Sequence, residues 1–149
     1  IDRLDGDGVV FADGSREAFD AIVWATGYNV TFPFFRQPEL TPQDNTFPLF
    51  KRMVKPGFEN LFFLGLAQPL PTLVNFAEQQ SKLVAAALTG AYAFPERSEM
   101  ERVIEADEKQ HAGHFYDSPR HRMQVDFQAY VRDLHKEIER GRRRTAAAA

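Results

Sequence analysis

Residues 20–34 read Asp20-Ala21-Ile22-Val23-Trp24-Ala25-Thr26-Gly27-Tyr28-Asn29-Val30-Thr31-Phe32-Pro33-Phe34. The continuous apolar run from Ala21 to Ala25 is the pattern of a parallel strand buried on both faces. Thr26-Gly27 ends the run with small residues that let the backbone pass close to a neighbour, and Gly27 can take dihedrals closed to other residues. In an open α/β sheet the ligand crevice lies at the carboxyl ends of the strands. Thr26 and Gly27 are therefore candidate binding residues in an α/β fold, although the stretch alone names no chemistry.

On the amino-terminal side, Val9-Val10-Phe11 leads into Ala12-Asp13-Gly14-Ser15 and returns through Ala18-Phe19 toward Trp24. Asp-Gly between apolar runs predicts a β-hairpin over residues 9–24. On the carboxyl side, residues 29–58 hold Pro33, Pro38, Pro42, Pro48 and Pro56, interleaved with Phe32, Phe34, Phe35, Phe47 and Phe50. Proline removes a donor and fixes φ, so regular structure here is expected to be short. The phenylalanines fit either core packing or one wall of a site.

Leu61-Phe62-Phe63-Leu64-Gly65-Leu66-Ala67 is the clearest strand candidate, apolar enough for burial on both faces. A loop from Gln68 to Leu73 precedes a helix predicted over 74–92. Phe76, Gln80, Leu83, Val84, Ala87, Leu88 and Ala91 recur on one face, with Gly90 and Pro95 at its end. A second helix is predicted from Ser98, where Ser98 and Glu101 have capping-box spacing. A third is predicted over 126–140, with Gly141 as its stop. Residues 142–149 are then expected as a disordered tail after a domain spanning 1–141.

The helix that follows the 61–67 strand is the best physical site in this reading. A helix N-terminus exposes unpaired amides and a partial positive charge, suited to an electron-rich ligand edge or a phosphate. The side chain of Gln68 and the amides of Thr72 and Leu73 are the candidate groups. Glu78 reads as a first-turn carboxylate complementing the dipole. No catalytic residue stands out: Ser15, Ser81, Ser98 and Ser118 lack a G-x-S-x-G turn. His111, His114, His121 and His135 form no recognised metal pattern.

Bulk properties exclude several classes. The 149 residues suffice for one core-forming domain, and 14 phenylalanines argue for packing. A net charge of −3 offers no field for nucleic acid. Zero cysteines exclude disulfides, thiolate catalysis and zinc-thiolate sites, and are compatible with the cytoplasmic location expected here. No apolar run approaches the ~20 residues of a membrane span.

Asp20, Trp24, Ala25-Thr26-Gly27-Tyr28 and Pro33 together resemble the Ala-Thr-Gly-Tyr signature of flavin-containing monooxygenases and related N-hydroxylases. Glu59 to Leu70 resembles that family's last FAD-domain strand, and Glu78, Gln80 and Ser81 its following helix. Phe115 to His121 and Gln124 to Phe127 resemble its C-terminal stretch. The resemblance departs at Trp24 (usually Phe or Leu), Pro71 (usually Gly) and Asn75 (usually Pro).

The resemblance implies the C-terminal part of a flavoprotein with two dinucleotide-binding domains, using FAD and NADPH. Its Gly-rich fingerprints, whose amides cradle pyrophosphate, are both absent here; Gly6, Gly8 and Gly14 are turn glycines with no helix after them. The implied reaction transfers one oxygen atom from a flavin hydroperoxide to an amine, a sulfide or a ketone. The implied partners are a small-molecule substrate, oxygen and the N-terminal part of the same flavoprotein. Thr26, Gly27, Gln68, Thr72 and Leu73 would face the cofactor, and Arg120 would pair with a phosphate or a carboxylate. The chain alone is expected to be inactive, to hold FAD weakly, and to self-associate or dock through exposed apolar surface. A catalytically silent interaction module is the alternative; a disulfide-reductase-like flavoprotein would need a cysteine pair.

Overall fold

A computed structural model describes residues 1–70, 72–111 and 123–148. Among the described residues the fold is mixed α/β, with two small sheets and three α-helices. β1 (Arg3–Asp5), β2 (Gly8–Val10) and β3 (Arg16–Ala18) form an antiparallel sheet in that order. The predicted hairpin is its β2–β3 half. Gly14 takes φ 85° in the turn, and the Asp13 carboxylate accepts the Ser15 amide at 3.0 Å and its hydroxyl at 2.7 Å. Arg16 reaches back across β2 to Asp7 at 2.8 Å.

The strand expected at 21–25 does not form. Residues 21–30 form no regular secondary structure, Val23 is 87% exposed and Trp24 65% exposed. A continuous apolar run becomes a buried strand only between neighbouring strands, and none lies beside it among the described residues. The 61–67 strand is also corrected. Phe62 makes an isolated bridge to Val54, and Gly65, at φ 73°, accepts the Ala67 amide in a tight turn that interrupts extension. The strand proper is β4 (Gln68–Leu70), parallel to β5 (Gln124–Asp126).

α1 (Leu73–Leu88) starts one residue before its predicted position, with Thr72 as N-cap. It ends earlier, at a left-handed Gly90, where the Ala91 amide bonds Ala86 and the Gly90 amide bonds Ala87. That pairing satisfies carbonyls the helix would otherwise leave open. α2 (Arg97–His111) begins just before Ser98; Glu101 pairs with Arg97 at 2.8 Å instead of closing a box with Ser98. α3 (Phe127–Ala148) runs straight through Gly141, where a stop was predicted, so residues 142–148 are helical.

Among the described residues, two apolar clusters pack the helices and the proline-rich segment. Phe50, Met53, Val54, Leu83, Ala86, Tyr92, Met100, Leu134 and Ile138 pack where the three helices meet. Leu40, Phe47, Leu49 and Phe63 form the second, with Phe32, Phe35 and Leu66 against them. Phe47 and Phe63 meet edge to face at 5.0 Å. Most of the phenylalanines of the proline-rich segment thus serve packing, while Phe34 stays exposed.

Candidate functional site

A cleft of about 730 Å³ opens between two segments far apart in sequence. One side is Thr26-Gly27-Tyr28-Asn29-Val30 with Asn45; the other is Gly65-Leu66-Ala67-Gln68 with Met123. Three of the five predicted binding residues, Thr26, Gly27 and Gln68, therefore meet. Thr72 and Leu73 are not among the residues that line this cleft. The Thr72 hydroxyl accepts the Asn75 amide at 3.4 Å and is spent on capping α1. Leu73 stands behind the wall: a β-carbon on Gly65 would lie 3.6 Å from its Cδ1.

Both walls turn on glycines at positive φ, Gly27 at 90° and Gly65 at 73°. A β-carbon on Gly27 would meet nothing within 4 Å, so its dihedral, not a close approach, requires glycine there. Asn45 fixes the first wall: its Oδ1 accepts the Val30 amide at 2.7 Å and its Nδ2 donates to the Tyr28 carbonyl at 3.4 Å.

The second wall is tied down from several sides. The Gly65 amide donates to Gln80 Oε1 at 2.8 Å, the Ala67 amide to Gly65 at 2.9 Å, and the Gln68 amide to Met123 at 2.7 Å. Among the described residues, the Leu66 amide and the Gln68 side chain have no hydrogen-bond partner. They are donors this wall can offer a ligand. Across the cleft stand the Thr26 hydroxyl, the Asn29 side chain and the backbone amides of Thr26, Gly27, Tyr28 and Asn29, which have no hydrogen-bond partner among the described residues.

This donor set suits one polar edge of a flat, largely apolar ring system. No helix starts in the lining of the cleft, so the helix-terminus cradle that suits a pyrophosphate is not part of it. A flavin ring fits the cleft in those terms, and its diphosphate would need a cradle from elsewhere.

Glu78 lies in the second turn of α1, whose first turn has no acidic residue, so its expected dipole role is corrected. His135 Nε2 sits 3.1 Å from Gln79 Oε1. His114, Arg120 and His121 lie outside the described residues, as does Pro71. Among the described residues no cluster of three metal-ligating side chains occurs, and no helix is long and apolar enough to cross a membrane.

Sequence reasoning placed Gln80 on a packing face and passed over Asn45 and Met123. A signal existed for Gln80, a polar residue in the apolar stripe of Phe76 and Leu83. None existed for Asn45, whose partners lie 15 and 17 residues away.

The profile of the family described as Flavin-binding monooxygenase-like matches residues 1–142. The chain belongs to that family. Over 121 residues it is 34% identical to flavin-containing monooxygenase 5 of Cavia porcellus, covering 79% of this chain and 22% of that protein. Over 141 residues it is 30% identical to the N-oxide-forming dimethylaniline monooxygenase 2 of Oryctolagus cuniculus, covering 93% and 26%. A 4-hydroxybenzoate brominase (decarboxylating) of Pseudoalteromonas luteoviolacea (strain 2ta16) is 35% identical over 114 residues, covering 73% and 21%. The chain thus spans about a quarter or less of the length of these relatives. Membership makes it part of a flavoprotein oxidoreductase family of monooxygenases.

Proposed function

We propose that this chain forms one wall of the flavin site in an FAD- and NADPH-dependent monooxygenase that delivers one oxygen atom to an amine, a sulfide or a ketone. The observation that carries this reading is the meeting of Thr26-Gly27 with Gln68 across one cleft. FAD, reduced by NADPH, supplies the oxygen-activating chemistry. The residues of this chain orient the ring and keep water from it. Gln68 and the Leu66 amide would hold a polar ring edge, with the Thr26 hydroxyl opposite.

The diphosphate and NADPH would be held by the N-terminal part of the same flavoprotein. The apolar side chains of Ile22, Val23, Trp24 and Tyr28, all exposed, support docking there. On this reading the isolated chain self-associates through that face and is inactive. A cytoplasmic setting belongs to the same proposal.

The test is NADPH oxidation and oxygen uptake by this chain mixed with an N-terminal family fragment carrying both Gly-rich fingerprints. The reading predicts NADPH consumption and oxygenated product with an amine, sulfide or ketone, only when both pieces are present. Flavin binding without any turnover on all three substrate classes would count against the activity.

A further inference from the structure

Gln80 is completely buried on α1, 0% exposed among apolar neighbours. A buried amide of this kind persists only when its polar atoms are paired. Oε1 accepts the Gly65 amide at 2.8 Å. Nε2 donates to the Tyr130 hydroxyl at 3.1 Å and to the Arg52 carbonyl at 3.4 Å. Tyr130 in turn donates to the Lys51 carbonyl at 2.8 Å. Lys51 and Arg52 both adopt left-handed backbone, φ 49° and 55°, a conformation that non-glycine residues hold only when the surroundings impose it. The buried Lys51 ammonium is held by Asp133 of α3 at 2.6 Å.

One side chain therefore joins the cleft wall to the Lys51-Arg52 turn and to α3. Gly65 lines the cleft directly, and its amide points to Gln80 rather than to a ligand. We propose that Gln80 is the positioning residue of the cleft: by capturing the Gly65 amide it sets the Gly65-Leu66-Ala67 turn and, through it, the placement of the Leu66 amide and Gln68. Its role toward FAD rests on the reading given above; its role in holding the wall does not.

Two variants test this. Gln80→Met keeps length and removes both hydrogen-bonding ends. Tyr130→Phe removes one Nε2 partner and keeps the ring against Phe76, 4.5 Å away between centroids. Amide hydrogen exchange of the chain without ligand is read first. Gln80→Met should speed exchange at Gly65 and Ala67 by about ten-fold, the scale of one lost hydrogen bond, while Leu83 and Ala86 keep their wild-type rates. Tyr130→Phe should move the same two amides by less.

Unchanged exchange at Gly65 in both variants overturns the proposal. So does acceleration at Gly65 that only keeps step with Leu83 and Ala86, which marks general destabilisation. The second readout is FAD affinity of the chain paired with the N-terminal fragment, expected to weaken about ten-fold in Gln80→Met. Equal FAD affinity in wild type and variant overturns the role of Gln80 toward FAD, while its role in holding the wall is decided by the exchange at Gly65. Failure of the wild-type pair to bind FAD defeats the flavin reading, and the exchange result alone then decides the role of Gln80.

Discussion

The Tyr92 ring occupies the space of a side chain at Gly141: a β-carbon there would stand 1.9 Å from its Cδ2. Helical residues on both sides of Gly141 continue unbroken, so this glycine serves close packing and does not end α3. Buried Glu137 accepts the Tyr92 hydroxyl at 3.0 Å and an Arg144 guanidinium bond. Arg144 also donates to the Ala93 carbonyl at 2.9 Å. Burial and the neighbouring Glu137 carboxylate push the Tyr92 phenol well above its ordinary value of 10.0, keeping it a neutral donor.

Gly141→Ala sets two effects against each other. Alanine gains about 1 kcal/mol of helix propensity, whereas overpacking costs about 1–3 kcal/mol or more. At 1.9 Å the clash wins, because the ring can move only by leaving Glu137. Thermal unfolding should show a lower midpoint for Gly141→Ala, and a double variant with Tyr92→Ala should lose less than the sum. A midpoint raised by Gly141→Ala would show that the ring yields freely.

Asp107 gives a pH dependence of defined sign. Burial raises its carboxyl above the ordinary 3.8, against the lowering pull of the Lys51 ammonium, with Asp133 adding to the rise. The folded state then holds this proton more firmly than the unfolded state. Its contribution to stability therefore falls as pH climbs from 3.8 through the raised folded value. Asp107→Asn removes that fall, so its urea midpoint relative to wild type should improve from acid to neutrality. The side chain is 38% exposed, which keeps the effect modest. A relative midpoint that worsens toward neutrality would mean the Lys51 pairing dominates.

Trp24 is the single tryptophan beside four tyrosines, so fluorescence excited beyond the tyrosine absorption reports the exposed 21–25 segment alone. In dilute solution acrylamide should quench it almost as freely as a small indole. Adding the N-terminal fragment should shield it, and shielding that grows with chain concentration would report self-association through the same face. A tryptophan already protected in dilute chain would contradict its exposure here.

The β-hairpin was legible because Asp13-Gly14 sits between apolar runs, and α1 and α2 because their apolar spacing is local. The runs at 21–25 and 61–67 misled because burial of a strand depends on neighbours that spacing cannot show. Gly141 misled for a related reason: the same residue ends helices or admits a ring, and the deciding Tyr92 lies 49 positions away. The convergence of Thr26-Gly27 with Gln68 was readable as two candidate sites. Thr72 caps α1 through its hydroxyl, whereas the groups expected to face a ligand were the Thr72 and Leu73 amides at the same helix start. Gln80 escaped notice as part of a site because its partners lie 15, 28 and 50 residues away.

The central claim is that the cleft between Thr26-Gly27 and Gly65–Gln68 holds the flavin ring. An FAD titration followed by flavin fluorescence, with the N-terminal fragment present, tests it directly. We compare wild type with Gln68→Leu in the cleft and with Leu88→Ser, exposed at the far end of α1. The account predicts binding by wild type, about ten-fold weaker binding by Gln68→Leu for one lost ligand hydrogen bond, and no change for Leu88→Ser. No FAD binding by the wild-type pair, or binding that Gln68→Leu leaves untouched, would contradict it.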